Sequence, residues 1–261
     1  MDTSARIIQT AIDNGADIAG IASMKALHEA PSSLLYAHLG IPQGRAVADH
    51  LQSRGTEINR HPSKAWVLVI GIAHPAHLPE LDWWDGSGTP GNQMLIDSLE
   101  HTRHNLQETM GVRCHKLHYF VEKGGVFLKD AAVLAGLGCI GRNNLLITPG
   151  FGPRIRLRAL LLEAGLRSTG PIGFDPCTGC DIHCRNVCPE KSMSEKRSVP
   201  DGIEVSELPA RDGAYDRELC GHQMDEDIRQ SENKGGVNTG VPVKYCRKCE
   251  FICPVGNDSE A

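Results

Sequence analysis

The chain has 261 residues, with 27 lysines and arginines against 32 aspartates and glutamates, and a formal net charge of −5. This acidic balance argues against a nucleic-acid-binding protein, which would carry a basic excess, and the absence of an apolar run of 18 residues argues against a membrane span. The N-terminal segment lacks the basic start and apolar centre of a signal peptide. We therefore expect a cytoplasmic protein.

Helices and strands are predicted to alternate from the N-terminus. Ile7, Ile8, Ala11 and Ile12 recur near helical spacing, and a short strand candidate follows at 16–23. Residues 65–74, AWVLVIGIAH, form a nearly continuous apolar run that is typical of a buried strand. The next segment, 83–92, is a Gly- and Pro-rich loop whose paired tryptophans either cap the core or form an exposed lid.

The middle of the chain continues this alternation. Residues 94–111 have helical periodicity and close on Gly111, a natural helix stop, and 114–122 alternate like a strand. A second helix is predicted over 128–138, and two strand segments around a Pro/Gly turn over 143–166. The fold class is therefore α/β or α+β. Near that turn the alternating Arg154, Arg156 and Arg158 are predicted to share a strand face, which meets either an anion or water.

The cysteines are concentrated in the last third, which holds eight of the ten. Each of two groups ends in C-x-x-x-C-P, and the two cysteines outside them, Cys114 and Cys139, are predicted to be packing residues. The first group is Cys177, Cys180, Cys184 and Cys188, and the second is Cys220, Cys246, Cys249 and Cys253.

Three kinds of site compete for these cysteines. Disulfides are rare in the cytosol, and structural zinc favours C-x2-C pairs separated by a spacer rather than a tight run of four. Two [4Fe–4S] clusters fit best, because in bacterial ferredoxins three cysteines of a run bind one cluster and the fourth, before proline, binds the other. The first cluster would then be held by Cys177, Cys180, Cys184 and Cys253, and the second by Cys188, Cys220, Cys246 and Cys249.

One feature departs from the ferredoxin run. Three residues, rather than the usual two, separate Cys180 from Cys184. We expect the irregular loop to absorb the extra residue. The eight cysteines still supply eight iron ligands, with none left over.

A glycine-rich segment, AGLGCIGRNNLL at 135–146, lies before the cysteine groups. Gly136, Gly138 and Gly141 would let the backbone approach a large ligand closely, or would simply allow a tight turn between helix and strand. The segment follows a helix and precedes a strand, so it is not a dinucleotide-binding fingerprint.

The glycine-rich segment, followed by two groups ending in C-P, resembles the epoxyqueuosine reductases and the corrinoid-dependent reductive dehalogenases. The resemblance implies a nitroreductase-like domain that holds cobalamin, here 1–170, followed by a two-cluster ferredoxin-like module, 171–261. It also implies that electrons from the clusters reduce the cobalt to nucleophilic Co(I). The residues implied to line the corrinoid are Gly136, Gly138, Cys139, Ile140, Gly141, Arg142, Asn143, Asn144 and Leu146.

The resemblance also places a catalytic acid. The family's aspartate lies thirteen residues before A-G-[LI]-G, and the same count from Ala135 gives Glu122, a carboxylic acid longer by one methylene. Gly125 replaces the proline of the family's pattern. Glu122 is either the proton donor or an ordinary acid at a strand end. A rival, Asp130, is predicted to be a solvated helix-surface acid.

Three functional hypotheses follow. The first is a cobalamin-dependent iron–sulfur reductase of a small-molecule or corrinoid substrate, supplied with electrons by a ferredoxin or flavodoxin. The second is a two-cluster electron-transfer protein that reduces a partner protein or its corrinoid. The third is epoxyqueuosine reduction on tRNA, which we expect less because the acidic chain stops eight residues after Cys253, where those reductases continue into a helical-repeat domain.

Overall fold

A computed structural model of the protein describes residues 2–33, 65–121, 125–194 and 214–256. In chain order the helices are α1 (Thr3–Asp13), α2 (Met24–His28), α3 (Pro90–Met110), α4 (Leu128–Leu134), α5 (His183–Asn186), α6 (Arg217–Glu232) and α7 (Lys248–Phe251). The strands are β1 (Ile18–Ser23), β2 (Ala65–Ala73), β3 (Trp83–Trp84), β4 (Arg113–Lys116), β5 (Cys139–Ile140), β6 (Leu146–Ile147), β7 (Ile155–Glu163) and β8 (Val243–Lys244). None of these helices has the length and apolar character needed to span a membrane.

The centre of the fold is a four-stranded antiparallel sheet in the order β1-β2-β7-β4. One face of β2, represented by Val67 and Val69, packs against α2 and α4, and the opposite face, represented by Leu68 and Ile70, packs against α1 and α3. Helices therefore cover both faces of the sheet. This explains why β2 reads as a continuous apolar run, although such runs are more usual in parallel sheets.

Helix α3 shows how local sequence sets an element. The Thr89 hydroxyl accepts a hydrogen bond from the Asn92 amide, Pro90 occupies the first turn, and Gly111 ends the helix in the left-handed conformation with φ of 64°. The predicted stop at Gly111 is confirmed. The helix begins four residues earlier than its apolar periodicity indicates, because the cap and the proline, rather than the first apolar residue, set its start.

The mixed class of helices and strands is confirmed, but two predicted elements differ. The strand predicted over 114–122 ends at Lys116, and Tyr119 and Phe120 lie exposed in a turn. The Gly125 amide donates a hydrogen bond to the Phe120 carbonyl. The helix predicted over 128–138 ends at Leu134, because Gly136 adopts a left-handed conformation with φ of 75°.

The paired tryptophans neither simply cap the core nor form an exposed lid. Trp83 and Trp84 form β3, which pairs with Lys244 and Val243 of β8 in the cysteine-rich part of the chain. Both tryptophans are half-buried, and the Lys244 ammonium lies 3.7 Å from the centroid of the Trp83 ring. They therefore join the loop after β2 to the cysteine-rich region.

Candidate iron–sulfur sites and the glycine-rich hairpin

Four cysteine side chains line one cavity, which we call the first thiol site. They are Cys177, Cys180 and Cys184 from the first cysteine group and Cys253 from the second. The same cavity is also lined by Arg142, Asn143 and Ile147, from the glycine-rich segment and from β6. The structure thus brings together the four cysteines that the sequence assigns to the first cluster, and sets them against the segment implied to line a corrinoid.

The loop that carries three of these cysteines is shaped by local contacts. The Asp175 carboxylate accepts a hydrogen bond from the Cys177 amide, and Gly179 takes a left-handed conformation with φ of 77°. Ile182 is also left-handed, with φ of 49°, directly before the short helix α5 that carries Cys184. This turn at Ile182 accommodates the extra residue between Cys180 and Cys184.

Cys253 reaches the first thiol site because the end of the cysteine-rich region is held against β7. The buried Arg154 guanidinium donates to the main-chain carbonyls of Glu250 and Cys253, at 3.2 Å each, and to that of Val255, at 2.6 Å. Gly152 makes this approach possible, since a β-carbon there would overlap the Val255 carbonyl oxygen.

A second thiol site is formed by Cys188, Cys220, Cys246 and Cys249. Burial first, and then the charges of Glu250 and of the thiols of Cys246, Cys184 and Cys220, raise the pKa of the Cys249 thiol to about 12. The pKa of Cys246 is likewise raised, by burial first and then by Asp227 and by Cys188 among other groups. These mutual effects indicate that the thiols lie near one another. Helices α5 and α7, which carry Cys184 and Cys249, contact each other, so the two thiol sites are neighbours.

The raised thiol pKa values bear on what these sites can bind. Burial raises the pKa of Cys184 to about 11, with further contributions from Cys177 and Cys253. A metal ligand must be a thiolate, so a bound cation has to displace these protons. Within the described ranges, no set of three or more His, Cys, Asp or Glu side chains could hold a single metal ion.

The glycine-rich segment is a hairpin of β5 and β6, closed by hydrogen bonds from the Gly141 amide to the Leu145 carbonyl and from the Asn144 amide to the Gly141 carbonyl. Its glycines are required by close contacts with other parts of the chain. A β-carbon at Gly138 would overlap the carbonyl oxygen of Ile147, and one at Gly136 would lie 2.8 Å from that of Thr169. This geometry favours the tight-turn interpretation of the glycines, which need no ligand to explain them.

One buried polar atom of the hairpin has no hydrogen-bond partner among the described residues. The atom is Oδ1 of Asn144, which adopts a left-handed conformation with φ of 57°. Its main-chain carbonyl accepts a hydrogen bond from Lys129 Nζ at 2.6 Å. Burial lowers the pKa of Lys129 to about 8. A buried acceptor without a donor usually marks a missing partner, so Asn144 is a candidate ligand contact.

Glu122, the predicted proton donor, lies outside the described residues, and its role stays a prediction. Close by, the structure describes Gly125, the position at which the resemblance implies a proline. A β-carbon at Gly125 would overlap the carbonyl oxygen of His118 and lie 2.8 Å from that of Phe120, so a side chain has no space there.

The prediction that Asp130 is a solvated acid is wrong. Asp130 is buried, and its carboxylate accepts hydrogen bonds from the Ser32 hydroxyl at 2.7 Å and the Ser32 amide at 3.3 Å. Asp130 lies near the start of α4, where the helix packs against the sheet. It has a structural partner on the segment after α2, which no local pattern in the sequence reveals.

The face of alternating arginines also differs from both predicted environments. β7 is an inner strand, and its arginines meet protein groups. Arg156 donates to Asp82 and Glu250, at 3.0 Å each, and Arg158 donates to Asn92. The alternation in the sequence predicted a shared face, but the partners come from distant parts of the chain.

Arg156 belongs to a buried charge network between the sheet and α7. Arg247, directly after Cys246, pairs with Asp82 at 2.6 Å and with Glu250 at 2.7 Å. His74 Nδ1 lies 3.0 Å from Asp82, and the His74 carbonyl accepts a hydrogen bond from Arg247. The network fixes the loop of Cys246 and Cys249 against the core, a role that the sequence did not reveal.

Comparison with known proteins identifies relatives. No protein-family model matches the chain. A tetrachloroethene reductive dehalogenase of Desulfitobacterium hafniense is 36% identical over 97 residues, which cover 34% of this chain and 18% of that protein. One from Sulfurospirillum multivorans is 27% identical over 125 residues, 47% of this chain and 22% of that protein.

Solved structures share the fold over nearly the whole chain. An epoxyqueuosine reductase from Streptococcus thermophilus superposes with a TM-score of 0.58 at 18% identity, covering 98% of this chain and 66% of that one. A reductive dehalogenase whose structure suggests a mechanism for B12-dependent dehalogenation superposes with a TM-score of 0.60 at 18% identity, covering 96% of this chain and 31% of that one. The chain is therefore similar in sequence to reductive dehalogenases over part of its length and shares its fold with epoxyqueuosine reductases and reductive dehalogenases, in agreement with the resemblance of its motifs, and it corresponds to only part of those larger chains.

Proposed function

We propose that the protein is a cobalamin-dependent iron–sulfur reductase, with a [4Fe–4S] cluster at each thiol site and a corrinoid beside the glycine-rich hairpin. One observation carries the proposal. A single cavity is lined both by Cys177, Cys180, Cys184 and Cys253 and by Arg142, Asn143 and Ile147 of the hairpin region. The proposed cluster ligands and the proposed corrinoid-binding segment are therefore adjacent, as electron delivery to a corrinoid requires.

The thiol sites fit clusters by the chemistry of their donors. Cysteine thiolates are the usual ligands of [4Fe–4S] clusters, and each site offers four. The first site would use Cys177, Cys180, Cys184 and Cys253, and the second Cys188, Cys220, Cys246 and Cys249. Arg154 and the buried charge network would hold Cys253, Cys246 and Cys249 in place.

The hairpin fits a corrinoid at Asn144. Its buried Oδ1 can accept a hydrogen bond from a ligand amide, and the periphery of a corrinoid carries such amides. A bound corrinoid supplies a nucleophilic Co(I) centre. Lys129 holds the Asn144 carbonyl and thereby orients the turn. Besides Asn144, the hairpin residues proposed to contact the corrinoid are Gly136, Gly138, Cys139, Ile140, Gly141, Arg142, Asn143 and Leu146.

Glu122 is the proposed proton donor to the substrate. The proposal depends on its position thirteen residues before Ala135. A general acid acts by geometry first and pKa second. If Glu122 has this role, Glu122→Gln abolishes turnover while leaving both cluster content and cobalamin affinity unchanged.

The proposed substrate is a small molecule, and the proposed electron donor is a ferredoxin or flavodoxin. The sequence relatives are tetrachloroethene reductive dehalogenases, which makes a halogenated compound the first substrate class to assay. Epoxyqueuosine tRNA is the second, because epoxyqueuosine reductases share the fold. Each is supplied to reduced enzyme under anaerobic conditions, and the product is identified by mass spectrometry.

A second candidate function, a two-cluster electron-transfer protein, is favoured by the glycines. Because chain packing alone accounts for Gly136 and Gly138, these glycines give no separate support for a corrinoid. In this alternative both clusters form, and the electrons pass to a partner protein.

Anaerobic reconstitution with iron, sulfide and cobalamin separates the two functions. The expected result is about eight irons per chain and a shift of the cobalamin spectrum. Asn144→Gly removes the Oδ1 acceptor and relieves the left-handed backbone, so it should weaken cobalamin binding without unfolding the chain. Lys191→Gly is the control, because Lys191 is also left-handed, with φ of 50°, but lies outside the hairpin. Full iron without cobalamin binding would instead establish the electron-transfer alternative.

A further inference from the structure

The two thiol sites lie in opposite electrostatic surroundings. We propose that buried Arg154 raises the reduction potential of a cluster at the first thiol site and that Asp227 lowers that of a cluster at the second. An electron would then reside preferentially at the first site, beside the glycine-rich hairpin. The inference rests on the proposed function, because it requires a cluster at each site.

Arg154 places a positive charge behind the first thiol site. Arg154 as a residue is 2% exposed, and its guanidinium lies 3.2 Å from the carbonyl oxygen of Cys253. Among the described residues, the three hydrogen bonds shown for it all end on main-chain carbonyls. Carbonyls solvate the guanidinium but carry no net charge, so they leave its positive charge uncancelled.

Two further arginines lie at the first site. Arg142 lines the cavity itself, and Arg185, directly after Cys184, donates from Nε to the Arg142 carbonyl at 3.2 Å. The carboxylate nearest in the loop, Asp175, is hydrogen-bonded to the Cys177 amide and the Thr178 hydroxyl. Asp175 and Asp181, the acids of this loop, are exposed to solvent, whereas Arg154 is buried. Arg154 therefore determines the sign of the field at the first site, because a buried charge is screened less than an exposed one.

Asp227 places a negative charge beside the second thiol site. Its carboxylate accepts hydrogen bonds from the Cys246 amide at 2.7 Å and from the Gln223 side chain at 2.9 Å. Both donors are neutral, so these bonds leave its negative charge uncancelled. Asp227 lies on α6, which also carries Cys220 and has more acidic than basic residues.

The other groups near the second site have a smaller effect on the potential of a cluster there. Glu250 adjoins Cys249, but it is paired with Arg156 and Arg247, so its charge is compensated. The Ser192 hydroxyl lies 3.3 Å from Cys188 Sγ and could stabilise added charge as a donor. The hydroxyl is a dipole without net charge, so its field falls off with distance faster than that of a carboxylate. The charge of Lys248 acts on the Cys246 thiol against that of Asp227, but less strongly. Asp227 therefore determines the sign of the field at the second site.

These charges act on reduction because a cluster becomes more negative when it gains an electron. A nearby positive charge stabilises the reduced form and a negative charge destabilises it, which is why net charge sets cluster potentials. In the protein interior the effect is screened less than in water. The potential at the first site should therefore exceed that at the second.

Anaerobic redox titration followed by electron paramagnetic resonance tests the proposal. The loaded wild-type protein should show two separate reduction waves. Arg154→Gln should move the higher wave to a more negative potential, and Arg154→Lys, which keeps the charge, should restore it. Asp227→Asn, which keeps an acceptor for the Cys246 amide, should move the lower wave to a less negative potential. Arg158→Gln is the matched control, an arginine of the same region that contacts neither thiol site, and should move neither wave.

The outcomes separate this inference from the proposed function. Iron well below about eight per wild-type chain would refute the two-cluster site itself. Full iron with coincident waves, or a lower wave that Asp227→Asn leaves in place, would overturn the inference alone. If the Arg154→Gln variant does not bind two clusters, the Arg154→Lys and Asp227→Asn variants test the proposal instead. The proposal then holds only if the lysine variant keeps both wild-type waves and the asparagine variant raises the lower one.

Discussion

Arg247 connects the loop of the second thiol site to the core, and its loss should be costly. Its side chain is 6% exposed and pairs with Asp82 and Glu250. Arg247→Met leaves these buried carboxylates with one cation fewer, and removing one partner of a buried ion pair typically costs about 3 kcal/mol or more. We expect a loss of about 3 kcal/mol in the free energy of unfolding, measured with urea under anaerobic conditions.

The matched control for Arg247 is Arg113→Met. Arg113 pairs with Glu163 at 3.6 Å, but its side chain is 72% exposed, and such surface pairs contribute about 0–1 kcal/mol. A loss of the same size in both variants would show that the buried network contributes no more than a surface pair.

Asp130 should make stability depend on pH. Burial raises the pKa of its carboxyl, against the hydrogen bonds from Ser32 and the charge of Lys129. A raised pKa in the folded state means that this carboxyl favours folding at low pH and that the contribution is lost as pH rises through the folded-state value. Asp130→Asn removes the titration. The stability of the variant relative to the wild type should therefore improve as pH rises from about 4, the ordinary pKa of an aspartate. Unfolding at several pH values measures this, and a constant difference would contradict the shift.

At the scale of the element, α3 depends on its terminal glycine. Gly111 has φ of 64°, and a β-carbon there would meet no atom within 4 Å, so a substitution there would strain the backbone without a clash. Gly111→Ala should destabilise the protein by about 1 kcal/mol. Gly88→Ala is the control, since a β-carbon there also meets open space and Gly88 has no positive φ. Equal melting temperatures for the two variants would contradict this account.

Local patterns in the sequence predicted those elements whose cause is local. The apolar run of β2 and the stop of α3 at Gly111 depend on burial and on one residue's conformation. The early end of β4 has a cause that is not visible in the local pattern. The chain after β4 lies in close contact with Gly125, whose α-carbon faces the carbonyls of His118 and Phe120. The same holds for the hairpin glycines, where spacing alone could not separate contact with a ligand from contact with the chain.

Long-range partners explain what else the sequence missed. The alternation of Arg154, Arg156 and Arg158 was visible, but their partners Asp82, Asn92 and the carbonyls after α7 are brought near only by the fold. In the cysteine groups, by contrast, the doubled C-P motif carried long-range information. It predicted which cysteines of the two groups would meet, and the first cavity contains that set.

At the scale of the whole molecule, each thiol site contains cysteines from both cysteine groups. Cys253 lies at the first site, and the thiol of Cys188 acts on Cys246 at the second. Neither group can therefore form its site without the other. Arg154 and the charge network then connect both sites to the sheet, so cluster binding and the docking of this region on the core should be coupled.

This arrangement can be tested with pairs of cysteine substitutions. Cys184→Ser with Cys253→Ser removes two ligands from one proposed site but one from each sequence motif. Cys184→Ser with Cys188→Ser removes two from one motif but one from each site. After anaerobic reconstitution the first pair should retain about four irons per chain and the second pair should lose most of both clusters, because a [4Fe–4S] cluster is normally held by four cysteines. The reverse result, with about four irons only in the second pair, would show that each motif binds its own cluster.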